Sequence, residues 1–247
     1  MGIAYCVLCI FYNLCTMFRF KRFSVEHDNS SMKVGTDAVL IGAWADIGGA
    51  IHVLDVGTGC GVIALMAAQR TSDDSHIDAI DIDAASVVQA NNNFASSPWA
   101  ARLNAYRADI NDYSRPHPYD VIVTNPPFYQ EDVMPPTVVR AAARHTHLLS
   151  FDQLMLSASR LLSASGSIAL ITPTQARDAV TAAATFAGLH LWRFTAVHSV
   201  DGTVAKRLLW QWSKQPCPTC RDTLILTDGG EYTAQYRTLC HDFYLKF

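Results

Sequence analysis

The sequence predicts an α/β fold, with a mostly parallel sheet of seven strands and helices on both of its faces. Two observations lead to this prediction. From residue 51 onward, apolar runs of strand length alternate with stretches that have the apolar spacing of a helix. A glycine-rich turn joins the first of these strands to the first helix. Strands that alternate with helices form a parallel sheet that is covered on both sides.

Each predicted element has a recognisable boundary. The first strand is an apolar run that ends at glycines, and the fourth stops abruptly at two prolines. The third helix ends at the Ser-Ala-Ser-Gly run of residues 163–166, and the fourth helix ends at Gly188. The predicted strands are residues 51–56, 76–80, 103–107, 119–124, 167–172, 191–198 and 207–212. The predicted helices are residues 62–68, 84–94, 151–162 and 175–187.

The composition is that of a globular protein. Of the 247 residues, 50% are hydrophobic and 17% are charged, so a large core can form and a disordered or collagen-like chain is excluded. No repeat or linker divides residues 20–247, which predicts a single domain. Residues 1–19 are an N-terminal extension, with Met17 as a candidate start. The apolar run within them is too short for a membrane span and lacks the features of a secretory signal, so no membrane segment is expected.

The charge limits the kinds of partner that the protein can bind, and the cysteine content indicates its cellular compartment. The net charge of −3 excludes a global basic field. Eight basic and three acidic residues lie between 134 and 214, so this half can face an anion, although solvated helix faces explain the excess equally well. Seven scattered cysteines, an odd number, predict a reducing cytoplasm. The pairs Cys6/Cys9 and Cys217/Cys220 have zinc-ligand spacing, but the first pair lies in an apolar run, so no metal is predicted.

A glycine loop follows the first strand. Asp55 precedes Gly57, Gly59 and Gly61, and glycines there let the backbone turn tightly against a ligand at a helix N-terminus. A dinucleotide fingerprint needs glycine at position 62, which is valine. The spacing suits S-adenosylmethionine, because Asp55 and exposed carbonyls can complement its ammonium group. A glycine turn without any ligand is the alternative.

Acidic residues end the next two strands. Asp81 lies about twenty residues past the loop, the distance at which a carboxylate reaches a ribose diol. Asp109 follows the third strand, where it can accept a hydrogen bond from an adenine amino group. Each alone is commonly a solvated loop residue. Together with Asp55 they predict a cofactor site at the edge where open α/β sheets bind ligands.

The run Asn125-Pro126-Pro127-Phe128 follows the fourth strand. An exocyclic amine or amide is a poor nucleophile, because its lone pair is delocalised. The Asn125 side-chain oxygen and the Pro126 carbonyl can accept both N–H hydrogens and direct electron density toward a sulfonium methyl group. The prolines fix the turn, and Phe128 offers a flat face to a base that has left its stack. A proline stop after a buried strand is the alternative.

These motifs resemble those of class I, S-adenosylmethionine-dependent amino-methyltransferases, which have a Rossmann-like fold. Residues 20–247 are similar to the bacterial valine-tRNA adenine-N6 methyltransferases, which act on the adenine immediately 3′ of the anticodon. Further segments carry this likeness: residues 20–23, 32–37, 42–44, 68–71, 97–99 and 243–245, with Asn91. The family often has Glu at Asp81 and Tyr at Phe128. Guanine N2 in ribosomal RNA and a glutamine in a protein remain alternative acceptors.

The resemblance also suggests residues that contact the cofactor and the RNA. Thr36 and Asp37 match a segment that caps the methionine end of the cofactor in related enzymes, and a helix N-cap is the alternative. A tRNA substrate is the implied partner, with no stable protein partner. The candidates for phosphate contacts are Lys21, Arg22, Arg140, Arg144, Lys206 and Arg207.

Overall fold

The computed structural model of the chain describes residues 17–28, 34–126 and 149–247. In this part, a nine-stranded sheet carries helices on both faces, and a separate two-stranded hairpin lies near the N-terminus. The hairpin pairs β1 (Met17–Arg19) with β2 (Ser24–Glu26). Three residues of the predicted N-terminal extension therefore belong to this hairpin, and the rest of that extension lies outside the described residues.

The remaining elements follow in chain order. The helices are α1 (Thr36–Trp44), α2 (Val62–Arg70), α3 (Ala84–Ala95), α4 (Phe151–Leu161), α5 (Arg177–Phe186) and α6 (Ala234–Cys240). The strands of the large sheet are β3 (His52–Val56), β4 (His76–Asp81), β5 (Leu103–Arg107), β6 (Tyr119–Thr124), β7 (Leu162–Pro173), β8 (His190–Val200), β9 (Arg207–Ser213), β10 (Cys220–Asp228) and β11 (Glu231–Tyr232).

The strands lie in the order β11-β10-β8-β9-β7-β6-β3-β4-β5. The five strands from β7 to β5 are parallel, β9 is antiparallel to both of its neighbours, and β10 is parallel to β8. All seven predicted strands are present, and the mostly parallel α/β class is confirmed. The predicted strand number is two short, because β10 and β11 extend the edge beyond β8.

Two local features explain where the sequence prediction differs from the structure. The β10–β11 turn contains Gly229 and Gly230 with φ of 56° and 87°, a signal for a hairpin that the prediction missed. Residues 163–166 were expected to form a loop, but they are extended residues of β7. The chain passes from α4 directly into the sheet, and a Cβ at Gly166 would lie 2.8 Å from the Tyr119 carbonyl oxygen.

The core consists of two apolar clusters, one on each face of the sheet. One cluster joins α1, α2, α3 and α6 to the sheet together with Phe20 and Phe23 of the hairpin. The other packs α4 and α5 against the opposite face. The helices therefore cover both faces, as predicted, and they leave the carboxyl ends of the central strands as the open edge. Among the described residues, no helix is both long enough and apolar enough to cross a bilayer.

Candidate active site

The carboxyl ends of β3, β4, β5 and β6 meet at one edge of the sheet. Val56 pairs with Ile80 on one side and with Thr124 on the other. The buried Thr124 hydroxyl donates to the Val56 carbonyl at 2.8 Å, and this hydrogen bond joins the last residues of β3 and β6. Ala108 N–H donates to the Asp81 carbonyl at 3.0 Å and aligns the end of β5. The predicted motifs therefore share one surface.

The glycine loop has the backbone conformation that its sequence predicts. Gly57, Gly59 and Gly61 have φ of 69°, 53° and 84°, a region that other L-residues rarely adopt. A Cβ at Gly57 or Gly59 would meet no atom within 4 Å, so both lie against open space. A Cβ at Gly61 would lie 2.5 Å from the Phe94 ring. Gly61, predicted to contact the cofactor, is therefore needed for the packing of α2 on α3.

Asp55 lies beneath this loop rather than on its surface. Its carboxylate is 1% exposed, and Oδ2 accepts hydrogen bonds from the Thr58 hydroxyl at 2.6 Å and from Ala64 N–H at 3.2 Å. Among the described residues, Oδ1 has no hydrogen-bond partner. Burial, with a smaller contribution from the nearby Asp81 carboxylate, raises the pKa of Asp55 to about 7, although the hydrogen bonds from Thr58 and Ala64 lower it. Asp55 shapes the loop with one oxygen and leaves the other unsatisfied.

The next two predicted acids also make hydrogen bonds with the local backbone. Asp81 accepts from Gly59 N–H through Oδ2 and from Asp83 N–H through Oδ1, both at 2.9 Å. Asp81 therefore braces the glycine loop from the end of β4. Asp109 accepts from the backbone and side-chain amides of Asn111 at 2.9 Å through Oδ1. It closes the turn after β5, at the far end of the same edge.

A cleft of about 420 Å³ opens above the glycine loop. It brings together predicted residues from three distant segments of the sequence: Thr36 and Asp37 at the start of α1, Gly57 and Gly59 in the loop, and Asn125 after β6. The N-cap of α1 is Gly35, so neither Thr36 nor Asp37 has the alternative capping role. Asn125 is half-buried and Pro126 is buried. Pro127 and Phe128 lie outside the described residues.

The four basic candidates in the described part of the chain have different surroundings. Lys21 Nζ donates to the carbonyls of His241 and Phe247 at 2.6 and 2.8 Å, which ties the hairpin to the C-terminal segment. The Arg22 guanidinium lies 5.2 Å from the centre of the Trp99 ring. Lys206 is exposed. Arg140 and Arg144 lie outside the described residues.

Arg207, a predicted phosphate contact, lies on the cleft itself, a position that the sequence analysis did not predict. It lines the cleft, and its Nε donates to Asp37 Oδ2 at 2.7 Å. These two residues are separated by 170 positions, so no local pattern could pair them. Thr58, which lines the cleft and binds Asp55, was also missed, although its position inside the glycine loop was a usable signal.

The cysteine pairs with zinc-ligand spacing raise the question of a metal site. Within residues 17–28, 34–126 and 149–247, no group of three or more His, Cys, Asp or Glu side chains is arranged to hold a metal ion. Cys217 and Cys220 are not joined in a disulfide. Their proposed zinc partners, Cys6 and Cys9, lie outside the described residues.

Comparison with known proteins places the chain in a family. The family described as Methyltransferase small domain matches residues 34–188. The chain is 43% identical over 231 residues to the tRNA1(Val) (adenine(37)-N6)-methyltransferase of Phocaeicola vulgatus, an alignment that covers 93% of this chain and 97% of the relative. This chain belongs to the tRNA1(Val) (adenine(37)-N6)-methyltransferase family. A relative of the same name from Aeromonas salmonicida is 42% identical over the same shares of both chains.

Membership of the adenine(37)-N6-methyltransferase family confirms the resemblance that the glycine loop and the Asn125 run predicted. Among solved structures, a predicted O-methyltransferase of Agrobacterium tumefaciens has a TM-score of 0.66 and 18% identity, and the match covers 84% of this chain and 96% of that one. At this identity the likeness concerns the fold alone. It confirms the Rossmann-like class I methyltransferase architecture.

Proposed function

We propose that this chain transfers a methyl group from S-adenosylmethionine to the exocyclic N6 of adenine 37, immediately 3′ of the anticodon, in tRNA1(Val). The observation that carries the proposal is the position of Asn125 on the same cleft as Gly57 and Gly59. This places an acceptor of amine hydrogens beside a loop suited to a cofactor. The names of the relatives supply the acceptor base and its position in the tRNA.

The residues around the glycine loop fit the cofactor. A buried carboxylate oxygen without a partner, Asp55 Oδ1, suits a cationic ammonium group. The open space above Gly57 and Gly59 leaves room for a ligand that contacts the backbone. Asp37 contacts Arg207 through Oδ2, and we assign its Oδ1 to the same ammonium group.

The remaining cofactor contacts follow the order of the strands. Thr36, beside Asp37 at the start of α1, is assigned to the methionine end, and Gly61 supports the loop from below. We assign Asp81 to the ribose and Asp109 to the adenine amino group, because these acids follow successive parallel strands. When bound, the cofactor supplies an electrophilic methyl group on a positively charged sulfur.

Asn125 and Pro126 would hold the methyl acceptor. The Asn125 side-chain oxygen and the Pro126 carbonyl accept the two hydrogens of the adenine amino group, which keeps the nitrogen lone pair directed at the methyl carbon. Phe128 would stack on the extruded base. The reaction requires alignment more than acid–base assistance, and the surplus proton leaves to water after the new C–N bond forms.

The compartment and the partners follow from the same proposal. A tRNA substrate and the odd number of scattered cysteines support a cytoplasmic location for the enzyme. The basic residues Lys21, Arg22, Arg140, Arg144, Lys206 and Arg207 are assigned to the tRNA backbone, with no stable protein partner implied.

Nucleoside mass spectrometry of treated valine tRNA tests this function. We expect N6-methyladenosine in an unmodified tRNA1(Val) transcript and none in a matched transcript that carries guanine at position 37. A parallel incubation with labelled cofactor should label total tRNA and leave ribosomal subunits and protein unlabelled. Label confined to ribosomal RNA would indicate guanine N2 as the acceptor. Label confined to protein would indicate a glutamine, and either result would overturn the tRNA assignment.

A further inference from the structure

An arginine–carboxylate pair borders the cleft opposite the glycine loop. Arg207, the first residue of β9, donates from Nε to Asp37 Oδ2 at 2.7 Å, and Asp37 lies in the first turn of α1. The two side chains are 37% and 28% exposed. Exposed ion pairs of this kind typically add less than about 1 kcal/mol to stability. The pair therefore contributes little to the stability of the fold, and its position on the cleft suggests a role in substrate binding instead.

The pair holds the guanidinium in a defined orientation. Asp37 takes the Nε edge, and Nη1 donates to the Lys206 carbonyl at 3.1 Å. Within the part of the chain that the structure describes, Nη2 has no hydrogen-bond partner. A planar guanidinium that is anchored at two nitrogens presents its remaining N–H groups in a fixed direction, which matches the geometry of a phosphate.

The strand order places Arg207 on the acceptor side of the cleft. Arg207 pairs with Pro173 at the carboxyl end of β7, and β7 lies next to β6, which ends at Thr124, directly before Asn125. The glycine loop follows β3, on the other side of β6. Along the edge of the sheet, Asn125 therefore lies between the cofactor loop and Arg207. A nucleotide whose base reaches Asn125 would extend its sugar and phosphates toward the rim.

We propose that Arg207, oriented by Asp37, binds one of the two phosphates that flank the target adenosine. This inference rests on the proposed function and assigns one contact within it. Arg207 is thereby distinguished from Lys21 and Arg22, whose cationic groups contact the C-terminal carbonyls and the Trp99 ring. Arg207 positions the nucleotide whose amino group donates to Asn125. A general phosphate contact, in contrast, would only hold the tRNA on the surface of the protein.

A neutral phosphate analogue tests this contact directly. tRNA1(Val) is assembled by ligation with a single methylphosphonate either 5′ or 3′ of adenine 37, and kcat/KM is measured for the wild type and for Arg207→Ala. A charge-assisted contact predicts that one of the two substitutions lowers wild-type kcat/KM about tenfold. Arg207→Ala should lose about tenfold on the natural RNA and show no further loss with that analogue. If each methylphosphonate lowered the kcat/KM of Arg207→Ala by as much as it lowers that of the wild type, the proposal would be overturned.

Three further measurements separate this role from others. The cofactor dissociation constant of Arg207→Ala should stay within about twofold of the wild-type value, and a loss there that equals the loss in kcat/KM would place the guanidinium on the cofactor instead. Arg207→Lys keeps the positive charge but loses the planar set of N–H donors, so it should be more active than Arg207→Ala and less active than the wild type. Arg237→Ala removes another exposed arginine–carboxylate pair, which joins Arg237 of α6 to Glu231 of β11, and should match the wild type.

The outcomes for the function and for this contact are distinguishable. If the wild-type enzyme fails to methylate the natural tRNA, the proposed function is wrong and the contact has no substrate. If the wild type methylates it and Arg207→Ala has the same kcat/KM, the function stands and only this inference is wrong. A melting temperature of Arg207→Ala equal to the wild-type value excludes misfolding as the cause of a loss.

Discussion

Asn125 owes its position to the strand before it. The buried Thr124 hydroxyl fixes the end of β6 to the Val56 carbonyl, and Asn125 is the next residue along the chain. Its side chain is half-buried on the cleft, where it can accept hydrogens from an amine while remaining reachable by a substrate. Asn125 should therefore act on the acceptor and contribute little to cofactor binding.

Replacing this side chain should separate turnover from cofactor binding. We expect Asn125→Ala to lower kcat at least about a hundredfold. The adenine amino group would lose one of the two oxygens that accept its hydrogens, and with it the alignment toward the methyl group. Calorimetric titration with S-adenosylmethionine should give a dissociation constant close to the wild-type value. A variant with full activity would remove Asn125 from the mechanism.

We expect Asp55 to make cofactor binding sensitive to pH. Its folded-state pKa of about 7 is above the ordinary value of 3.8. Between these two values the folded protein holds a proton that the unfolded chain has released, so this group's contribution to the free energy of unfolding falls as pH rises toward 7 and is constant above it. An ammonium group beside Oδ1 favours the ionised carboxylate. Cofactor binding should therefore release this proton.

The pH dependence of cofactor affinity tests this linkage. Between pH 8 and pH 6 we expect the wild-type dissociation constant to rise about tenfold more than that of Asp55→Asn. The asparagine oxygen can still accept from Thr58 and Ala64, so the loop keeps its shape. Dividing the two constants at each pH cancels the titration of the cofactor's own amino group. A ratio that does not change with pH would exclude Asp55 as the linked group.

The turn between β3 and α2 uses its glycines in two ways. Gly57 and Gly59 keep the space above the turn open, whereas Gly61 lets α2 approach the Phe94 ring of α3. All three have positive φ, so each alanine substitution costs about 1–2 kcal/mol in backbone conformation. Only at position 61 does overpacking add to this cost.

Two alanine substitutions should therefore have different consequences. Gly61→Ala should lower the free energy of unfolding by about 2–4 kcal/mol, with a corresponding fall in melting temperature. Gly57→Ala should melt closer to the wild type but bind the cofactor more weakly, because its methyl group enters the space above the turn. Thermal melts and calorimetric titrations measure both effects. Equal melting temperatures for the two variants would contradict the packing role of Gly61.

The distribution of charge over the chain determines how it can attract RNA. The net charge is −3, so attraction has to come from particular basic residues rather than from an overall field. Arg207 is oriented on the cleft and Lys206 is exposed beside it, whereas Lys21 contacts the C-terminal carbonyls. We therefore expect much of the phosphate contact to come from residues 127–148, which follow Pro126 directly in the sequence.

Removing two arginines of that segment should weaken RNA binding in a salt-dependent way. We expect Arg140→Ala combined with Arg144→Ala to lower tRNA affinity and to reduce the slope of log affinity against log salt by about 1.4–1.8. Filter binding at several salt concentrations gives the slope. The cofactor dissociation constant is the control and should not change. An unchanged slope would remove these arginines from the RNA contact.

The features that lie close together in the chain could be predicted from the sequence. The glycine loop, the Asn125 run and seven strands depend on a few consecutive residues, so apolar spacing and motifs were enough to predict them, and the resemblance of those motifs to a known family indicated the family. Contacts between distant residues could not be predicted in this way. Gly61 against Phe94, Arg207 on Asp37 and Lys21 on the C-terminal carbonyls form only when the strand order brings separate segments together. The motifs for cofactor and acceptor binding could therefore be identified from neighbouring residues in the sequence. The partner of each charged side chain, in contrast, depended on how distant segments pack across the sheet.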